Sequence, residues 1–248
     1  MQLVLSLFPG ADLFGRAFEK IGFCVVRGPD KLWGGDVHDF HVPPGKFDGI
    51  IGGPPCQVFS NLTKMSGTSA VNLIPEFVRI VEEARPKWAV MENVPGAKLH
   101  APNWPAVFTR DWDMGGLTNR PRAFWFYGVP AAPKPVRAPG KPAWSVMASS
   151  WKGRTGKTGK GGTQGMWQEL TPEEAARLQG FPGLHEYMIA SLPAGMSDAA
   201  KRVMVIHMLG NGVPLMSGLY IAWHIKSATE NIKREGERVA QIALPVTA

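Results

Sequence analysis

The chain of 248 residues has few of the side chains that metal sites and disulfide frameworks need. It contains two cysteines, Cys24 and Cys56, with no CxxC pair, and its six histidines show no metal-ligand spacing. We therefore expect no metal, no zinc site in particular, and a reducing, intracellular setting. No apolar run approaches the roughly 20 residues of a membrane-spanning helix, so we expect no membrane partner. The apolar N-terminus lacks the basic region and cleavage site of an export signal and is interpreted as a first β-strand.

Acidic residues are absent from one long segment, Val129–Gln168, which is also rich in Pro, Gly and Ser. We call this the basic segment. Its seven cations are Lys134, Arg137, Lys141, Lys152, Arg154, Lys157 and Lys160. Together with the formal net charge of +7, they suit a polyanionic partner such as nucleic acid. Its glycines and lysines lack the spacing of a phosphate-binding loop, so a nucleoside-triphosphate site is not expected.

Hydrophobic periodicity alternates between that of strands and that of helices. Apolar runs at 2–8, 23–26, 47–51 and 88–91 predict strands, and apolar residues at helical spacing follow the first run and recur over 74–81. A capping box at Thr171 opens a helix through Leu178, and two more helices are predicted at 197–208 and from Pro214 towards Arg234. This order indicates an α/β fold of the Rossmann-like kind, a mostly parallel sheet with helices on both faces.

Unusual loops directly follow three of the predicted strands, and their sequences are FPGAD, GGPPCQ and ENVPG. Ligands of such sheets gather at the carboxyl ends of the strands, so Cys56 and Glu92 are expected to lie close together. A lone cysteine is more often a small buried hydrophobe, and Glu92 alone could cap a loop. A thiolate that adds to carbon 6 of cytosine, with an acid at ring nitrogen 3, would nevertheless turn carbon 5 into a nucleophile.

Six motifs, in order along nearly the whole chain, resemble those of the cytosine-5 DNA methyltransferase family, which transfers a methyl group from S-adenosylmethionine to carbon 5 of cytosine. They are LSLFPGADLFGRAFEKIGF, PPCQ, ENVPG, the arginine pair Arg120 and Arg122, ELTPEEAARLQGFP, and GNGVP with its following helix. The resemblance implies a class I methyltransferase fold. It also implies a covalent Cys56 adduct with a flipped-out cytosine, and S-adenosylhomocysteine as the cofactor product.

Roles are carried over from the family residue by residue. The resemblance implies Cys56 as nucleophile, Glu92 as the acid on the base and Arg122 as a ligand of the cytosine, with Arg120 and Asn93 in support. The residues that it implies for the cofactor, with Asp30 as a substitute for a missing acid, are Phe8, Gly10, Ala11, Asp30, Asp36, Pro55, Leu73, Asn211 and Val213. Phe8 and Leu73 could also be plain core residues, and Asp36 only a turn residue.

The chain departs from the family's pattern at two cofactor-binding positions. Asp12 and Leu13 stand where two further glycines are usual, and the acid that commonly ends the second strand is replaced by the stretch Arg27–Asp30. Ribose recognition is therefore open, which is why Asp30 is only a substitute. Thr118 and Asn119 also stand where many members have a glutamine ahead of the paired arginines.

The expected partner is double-stranded DNA, with the target base flipped out between two lobes. We predict a catalytic and cofactor-binding domain at 1–129, completed by 205–248, and a small target-recognition domain at 130–204. Its expected nucleic-acid contacts are Lys134, Arg137, Lys152, Arg154, Lys157 and Lys160, with Trp144, Ser145, Trp151 and Gln164 as candidate wedges or base contacts. Because so short a lobe has room for few base contacts, we predict a recognition site of two to four base pairs.

A monomer in the cytoplasm of a bacterial or phage-infected cell is expected. Two alternatives remain open from the sequence. Methyltransferases that act on tRNA share PPCQ and ENV, although the Cys-Phe-Thr signature usual in them does not occur here. A catalytically silent DNA-binding relative is the other alternative, against which the intact Cys56 and Glu92 argue.

Overall fold

A six-stranded sheet forms the centre of the protein. The computed structural model describes residues 1–31, 34–55, 72–150 and 169–243, with side chains to 234. The strands are β1 (Leu3–Leu7), β2 (Cys24–Arg27), β3 (Gly49–Gly52), β4 (Trp88–Asn93), β5 (Ala106–Arg110) and β6 (Pro121–Tyr127), in the order β2-β1-β3-β4-β6-β5. The strands β2, β1, β3 and β4 are mutually parallel, whereas β6 runs antiparallel to both β4 and β5. The predicted mostly parallel sheet is confirmed.

The strand order reverses between β1 and β3. The chain goes from β1 to its neighbour β2 on one side and then crosses to β3 on the other side. The carboxyl ends of β1, β3 and β4 meet at one edge of the sheet, which we call the carboxyl edge. Since β6 is antiparallel to β4, the beginning of β6 lies at this same edge. In open sheets a ligand site is expected where the order reverses.

Helices cover both faces of the sheet, as predicted. The helices are α1 (Leu13–Ile21), α2 (Ile74–Ala84), α3 (Pro172–Leu178), α4 (Leu184–Ser191), α5 (Asp198–Asn211) and α6 (Leu215–Ala243). On one face, α1 and α6 pack their apolar residues against β1, β4 and β6, in a core that includes Phe18, Trp88 and Ile221. On the other face of the sheet, α2 packs Phe77 and Ile80 against residues of β1, β3, β4 and β6.

Local sequence signals explain where several helices begin and end. Asp12 caps α1 by accepting from the backbone N–H of Gly15, and Gly22 ends that helix with a φ of 95°, which suits glycine. The predicted capping box at Thr171 and Glu174 is present at the start of α3. By contrast, α4 carries almost no segregated apolar face, with Met188 as its buried residue, and was not predicted.

Part of the basic segment lies along the central sheet. Because β6 ends at the edge opposite the site, the chain after it starts there, where His224 of α6 contacts the carbonyl of Pro130 at 2.8 Å. It then rises to the carboxyl edge, where Trp112 donates to the carbonyl of Ala138 at 3.3 Å and Ala143 bridges to Thr118. A third core joins Val146 to α3, α5 and Leu13. The division into domains at 129 and 205 stays a prediction.

One stretch, Asp198–Arg234, is long and apolar enough by composition alone to cross a membrane. It is not a single helix, since Gly212–Pro214 separates α5 from α6, and 56% of its apolar window is buried inside the protein. Core helices of soluble proteins pass the same test. The absence of a membrane partner stays a prediction.

Candidate active site

Glu92 lies near the end of β4, at the carboxyl edge, and its residue is only 6% exposed. Its Oε1 pairs at 2.5 Å with Nε of Arg122, which lies on the neighbouring strand β6 two positions before Phe124, the residue paired with Glu92. Burial raises the pKa of the Glu92 carboxyl, and the nearby charges of Arg122 and Arg120 oppose that rise only in part. The site therefore holds a carboxyl group whose protonated form is favoured relative to an exposed glutamate.

The loop after β3 lies directly against Glu92. A side chain at Gly53 would come within 2.8 Å of Glu92 Oε2, so any larger residue there would displace the carboxyl group. Asn93 donates from Nδ2 to the carbonyl of Pro54 at 3.0 Å, and its Oδ1 accepts from the N–H of Val94 at 2.9 Å. Asn93 thus fixes the backbone two residues before Cys56. Cys56 itself lies outside the described residues.

Arg120 is fully buried and binds carbonyl groups. Its guanidinium donates to the carbonyls of Val146 and Gly210, and to that of Gly212 at 3.2 Å. The carbonyls of Gly210 and Gly212 lie at the end of α5, where helix carbonyls lack partners and a cation is favourable. Arg120 therefore joins β6, the basic segment and the junction of α5 with α6, and it does not line the cavity described below.

Gln179, which sequence reasoning missed, meets the same junction from α3. Its side-chain Nε2 donates to the carbonyl of Leu209, and its backbone carbonyl accepts from the N–H of Leu215 at 2.9 Å. The residue is 1% exposed. A polar residue between Leu178 and Gly180-Phe181 in an otherwise apolar stretch was the available signal, because buried amides need partners.

A cavity of about 490 Å³ opens at the point where the strand order reverses. Of the nine residues predicted to bind the cofactor, eight line it: Phe8, Gly10, Ala11, Asp30, Pro55, Leu73, Asn211 and Val213. Glu92, Asn93 and Arg122 line it too, so the predicted acid and the predicted cofactor residues share one space. An aromatic ring, apolar walls, acidic side chains and exposed backbone of this kind fit an adenosyl group joined to an amino acid.

The loop at residues 8–12, which we call the first loop, has an unusual backbone. Phe8, Gly10 and Asp12 have φ values of 54°, 54° and 50°, which lie in a backbone region that residues other than glycine rarely adopt. Asp30 supports this loop, since its Oδ2 accepts from the N–H of Gly10 at 2.9 Å. Strained backbone of this kind is characteristic of ligand-binding loops.

Asp12 is a second residue that sequence reasoning missed. Its carboxylate is 3% exposed and lines the cavity, where Oδ1 accepts from the Ser6 hydroxyl at 2.7 Å and Oδ2 pairs with Nε of Arg27 at 2.9 Å. Burial raises the pKa of Asp12. Three contacts lower this pKa but do not outweigh burial, and they come from the Ser6 hydroxyl, Arg27 and the Gly15 N–H. An aspartate directly before an apolar helical face is a helix-capping signal that could have identified it.

Asp36, the ninth predicted cofactor residue, is not among the residues that line the cavity, although its neighbours Gly35 and Val37 are. Its Oδ1 accepts from the backbone N–H of His38 at 3.0 Å and contacts the His38 ring at 2.7 Å. These hydrogen bonds from His38 lower the pKa of Asp36. Its role at the adenine stays a prediction.

The predicted nucleic-acid contacts are described only in part. Lys134 and Arg137 are exposed on the rising part of the basic segment, and Arg137 lies nearer the carboxyl edge, beside Asp113. Lys152, Arg154, Lys157 and Lys160 lie outside the described residues, as do Trp151 and Gln164. Trp144 is 70% exposed beside the bridge between Ala143 and Thr118. Within the described ranges, no cluster of three or more His, Cys, Asp or Glu could hold a metal ion.

Sequence comparison identifies one family. Residues 31–108 match the profile described as C-5 cytosine-specific DNA methylase. The type II methyltransferase M.DdeI of Desulfomicrobium norvegicum is 34% identical over 115 residues, which are 38% of this chain and 28% of that protein. The type II methyltransferase M.HgiGI of Herpetosiphon aurantiacus is 51% identical over 51 residues, which are 20% and 40% of the two chains. The chain thus spans well under half the length of these curated relatives.

Solved structures share the fold over most of their length. A protein encoded within an E. coli prophage matches 93% of this chain and 100% of its own, with a TM-score of 0.60 and 18% identity. The Dnmt2 methyltransferase of S. pombe matches 94% of this chain and 99% of its own, with a TM-score of 0.57 and 12% identity. At such identities the likeness concerns the fold alone. The family profile over residues 31–108 and the curated relatives support the resemblance to the C-5 cytosine-specific DNA methylase family that the motifs predicted.

Proposed function

We propose that the protein is an S-adenosylmethionine-dependent DNA methyltransferase that modifies carbon 5 of a flipped-out cytosine through a covalent Cys56 adduct. The observation that carries this proposal is the position of Glu92. It is a buried carboxyl paired with Arg122, it faces the large cavity, and it lies against the loop that leads to Cys56.

Glu92 is suited to act on ring nitrogen 3 of the cytosine. A carboxyl whose pKa is raised by burial holds its proton to higher pH than an exposed glutamate does, and can share it with a base nitrogen. Arg122, fixed by the ion pair, is directed to the same space and can donate to an acceptor on the base. Positive charge at ring nitrogen 3 makes carbon 6 electrophilic, and this prepares the ring for the thiolate of Cys56.

The remaining steps are addition of the thiolate, transfer of the methyl group and elimination of the thiolate. When the Cys56 thiolate adds to carbon 6, electron density moves to carbon 5, which then attacks the donor's methyl group. Loss of the proton on carbon 5 and expulsion of the thiolate restore the aromatic ring. Asn93 supports this chemistry by holding the carbonyl of Pro54, and hence the approach of the loop that carries the thiol.

The cofactor, S-adenosylmethionine, supplies an electrophilic methyl group, and S-adenosylhomocysteine is its product. The cavity residues fit it in three ways. Phe8 and Leu73 offer apolar surface to an adenine, Asp30 offers a carboxylate to hydroxyl donors, and Gly10 and Asn211 offer polar groups to the amino-acid end. A role for Asp36 at the adenine amino group remains part of the proposal.

The proposed substrate is duplex DNA, bound by the cations of the basic segment, with a recognition site of two to four base pairs. Support comes from the exposed Lys134, Arg137 and Trp144 on a segment held to the catalytic sheet. Cations on such a surface contact phosphates, and the aromatic ring can stack on bases. Action as a monomer in the cytoplasm is part of the same proposal.

One experiment tests substrate, reaction and specificity together. The purified protein is incubated with methyl-labelled cofactor and a random-sequence duplex, and modified cytosines are mapped by bisulphite sequencing. We expect label at carbon 5 of cytosine within a site of two to four base pairs. Label in a tRNA substrate but not in the duplex would favour an RNA methyltransferase, and label in neither would refute the proposal.

A further inference from the structure

An arginine ends the second strand, at the position where folds of this kind commonly place an acid for the ribose. This residue, Arg27, lies beside Ser6 in the sheet register and is 44% exposed. Its guanidinium turns away from solvent on one side, where Nε pairs with Asp12 Oδ2 at 2.9 Å. On the other side Nη2 pairs at 2.9 Å with Glu19, which is 39% exposed.

The partner of Arg27 is a charge inside the first loop. Asp12 is 3% exposed, and its other oxygen, Oδ1, is engaged with the Ser6 hydroxyl and the Gly15 N–H. A side chain at Gly15 would come within 2.3 Å of the Asp12 carboxylate, so the carboxylate fits only because residue 15 is glycine. A buried carboxylate without a cation would be unfavourable here, and Arg27 is the cation that pairs with it.

Asp12 also carries one of the unusual backbone angles of the first loop. With φ values near 50° at Phe8, Gly10 and Asp12, the loop depends on outside contacts to keep its shape. Asp30 provides one contact at Gly10, and Arg27 provides another through Asp12. Ser6, Phe8, Gly10 and Asp12 all line the cavity, so a change in this loop changes the cavity wall.

We propose that Arg27 is a positioning residue for cofactor binding: through Asp12 it holds the first loop in the conformation that receives the amino-acid end of S-adenosylmethionine. This inference rests on the proposed function for the identity of the cofactor. It assigns a role to the two departures from the family's pattern together. Asp12 stands where a glycine is usual, and Arg27 stands where an acid is usual. Each of the two side chains neutralises the charge of the other.

The test is a double-mutant cycle on the full chain, read by calorimetric binding of S-adenosylhomocysteine. Arg27→Met leaves Asp12 without its cation, so binding should weaken by about tenfold or more, which equals ~1.4 kcal/mol. Asp12→Asn keeps the cap of α1 and tolerates a positive φ but loses the ion pair with Arg27, so it should weaken binding by a similar factor. The combination of Arg27→Met with Asp12→Asn should bind about as weakly as Arg27→Met alone, since both substitutions remove the same ion pair and their effects should not add.

Two further variants separate positioning from general stability. Glu19→Gln removes only the outer contact of Arg27 and should bind like the parent. Arg27→Lys keeps the charge and should bind within about threefold, even if Arg27→Met fails to fold. In steady-state assays the KM for the cofactor should rise in Arg27→Met while kcat at saturation is kept.

The outcomes distinguish this inference from the proposed function. If the parent binds S-adenosylhomocysteine and Arg27→Met binds equally well, Arg27 does not position the loop. The same conclusion follows if the losses of Arg27→Met and Asp12→Asn simply add in the double variant, because the two residues would then act independently. If the parent itself does not bind S-adenosylhomocysteine, the proposed cofactor is wrong, and the inference fails with it.

Discussion

At the scale of single residues, the site depends on a carboxyl group placed among opposing influences. Glu92 is removed from water by β4, β6 and the loop at Gly53, which favours its neutral form, while Arg122 at 2.5 Å favours its charged form. Burial has the larger effect, so the pKa is raised. This balance leaves the carboxyl able to deliver a proton and still oriented by an ion pair.

Glu92→Gln tests this role. The amide keeps the shape of the side chain but cannot transfer a proton, so kcat for methyl transfer should fall by about 10²–10⁴-fold. Cofactor binding should be largely kept, because the cavity is unchanged in volume. Single-turnover transfer of labelled methyl groups measures the effect, and a loss of less than about threefold would contradict an acid role.

The pH dependence has a definite sign. Under the proposed mechanism, activity requires protonated Glu92 and should be lost as the pH rises through its pKa, which burial places above that of an ordinary glutamate. The parent should therefore show an alkaline decline in kcat, opposed at low pH by the need for the Cys56 thiolate. The residual activity of Glu92→Gln should lack the alkaline decline. A decline unchanged in the variant would assign it to another group.

At the scale of elements, the junction between α5 and α6 connects three parts of the protein. Arg120, directly before β6, and Gln179, directly after α3, bind carbonyls at the end of α5, and the adjoining Asn211 and Val213 line the cavity. Arg120 also binds the carbonyl of Val146 in the basic segment. The junction thus couples the cavity wall to the position of the predicted recognition lobe.

Arg120→Met should therefore reduce both stability and cofactor affinity. Removing the guanidinium leaves buried carbonyls without donors, which should cost about 3 kcal/mol or more in the free energy of unfolding. Arg110→Met is a matched control, because Arg110 pairs with Asp113 in a part-exposed contact, whose loss should cost roughly 1 kcal/mol or less. Urea unfolding and S-adenosylhomocysteine binding measure both variants, and equal losses in the two would contradict the role of Arg120.

The sequence predicted elements whose signals are local. The strand, turn and helix at residues 2–21, the capping box at Thr171 and the three loops at the carboxyl edge were all predicted from neighbouring residues. The roles of Asp12, Gln179 and Arg120 in the packing depend on partners 15 to 92 positions away in the chain, which no periodicity reveals. The contacts of Pro130 and Pro133 with α6 are of the same kind.

At the scale of the whole molecule, the described cations of the basic segment lie at different distances from the carboxyl edge. The basic segment starts at the edge opposite the site and rises to the carboxyl edge, so Arg137 lies nearer the site than Lys134 does. Lys87 lies at the opposite edge, directly before β4, and pairs with Asp48. A duplex bound across the carboxyl edge would meet Arg137 and remain far from Lys87.

Salt dependence tests this orientation. Arg137→Gln should reduce the slope of log affinity against log salt by about one, Lys134→Gln by less, and Lys87→Gln not at all. None of the three should change which sequence is methylated. Fluorescence anisotropy with a labelled duplex gives the slopes, and a larger effect for Lys87→Gln than for Arg137→Gln would place the DNA on the other edge.

The central claim is a covalent bond between Cys56 and carbon 6 of cytosine, and trapping that bond is its most direct test. A duplex with 5-fluorocytosine at the methylated position blocks the last step, because fluorine cannot leave as a proton does. With S-adenosylmethionine present, the parent and the control Cys24→Ser should form a denaturation-resistant complex with this duplex, and Cys56→Ser should not. A complex that survives in Cys56→Ser, or none in the parent despite methylation of ordinary cytosine, would contradict the mechanism.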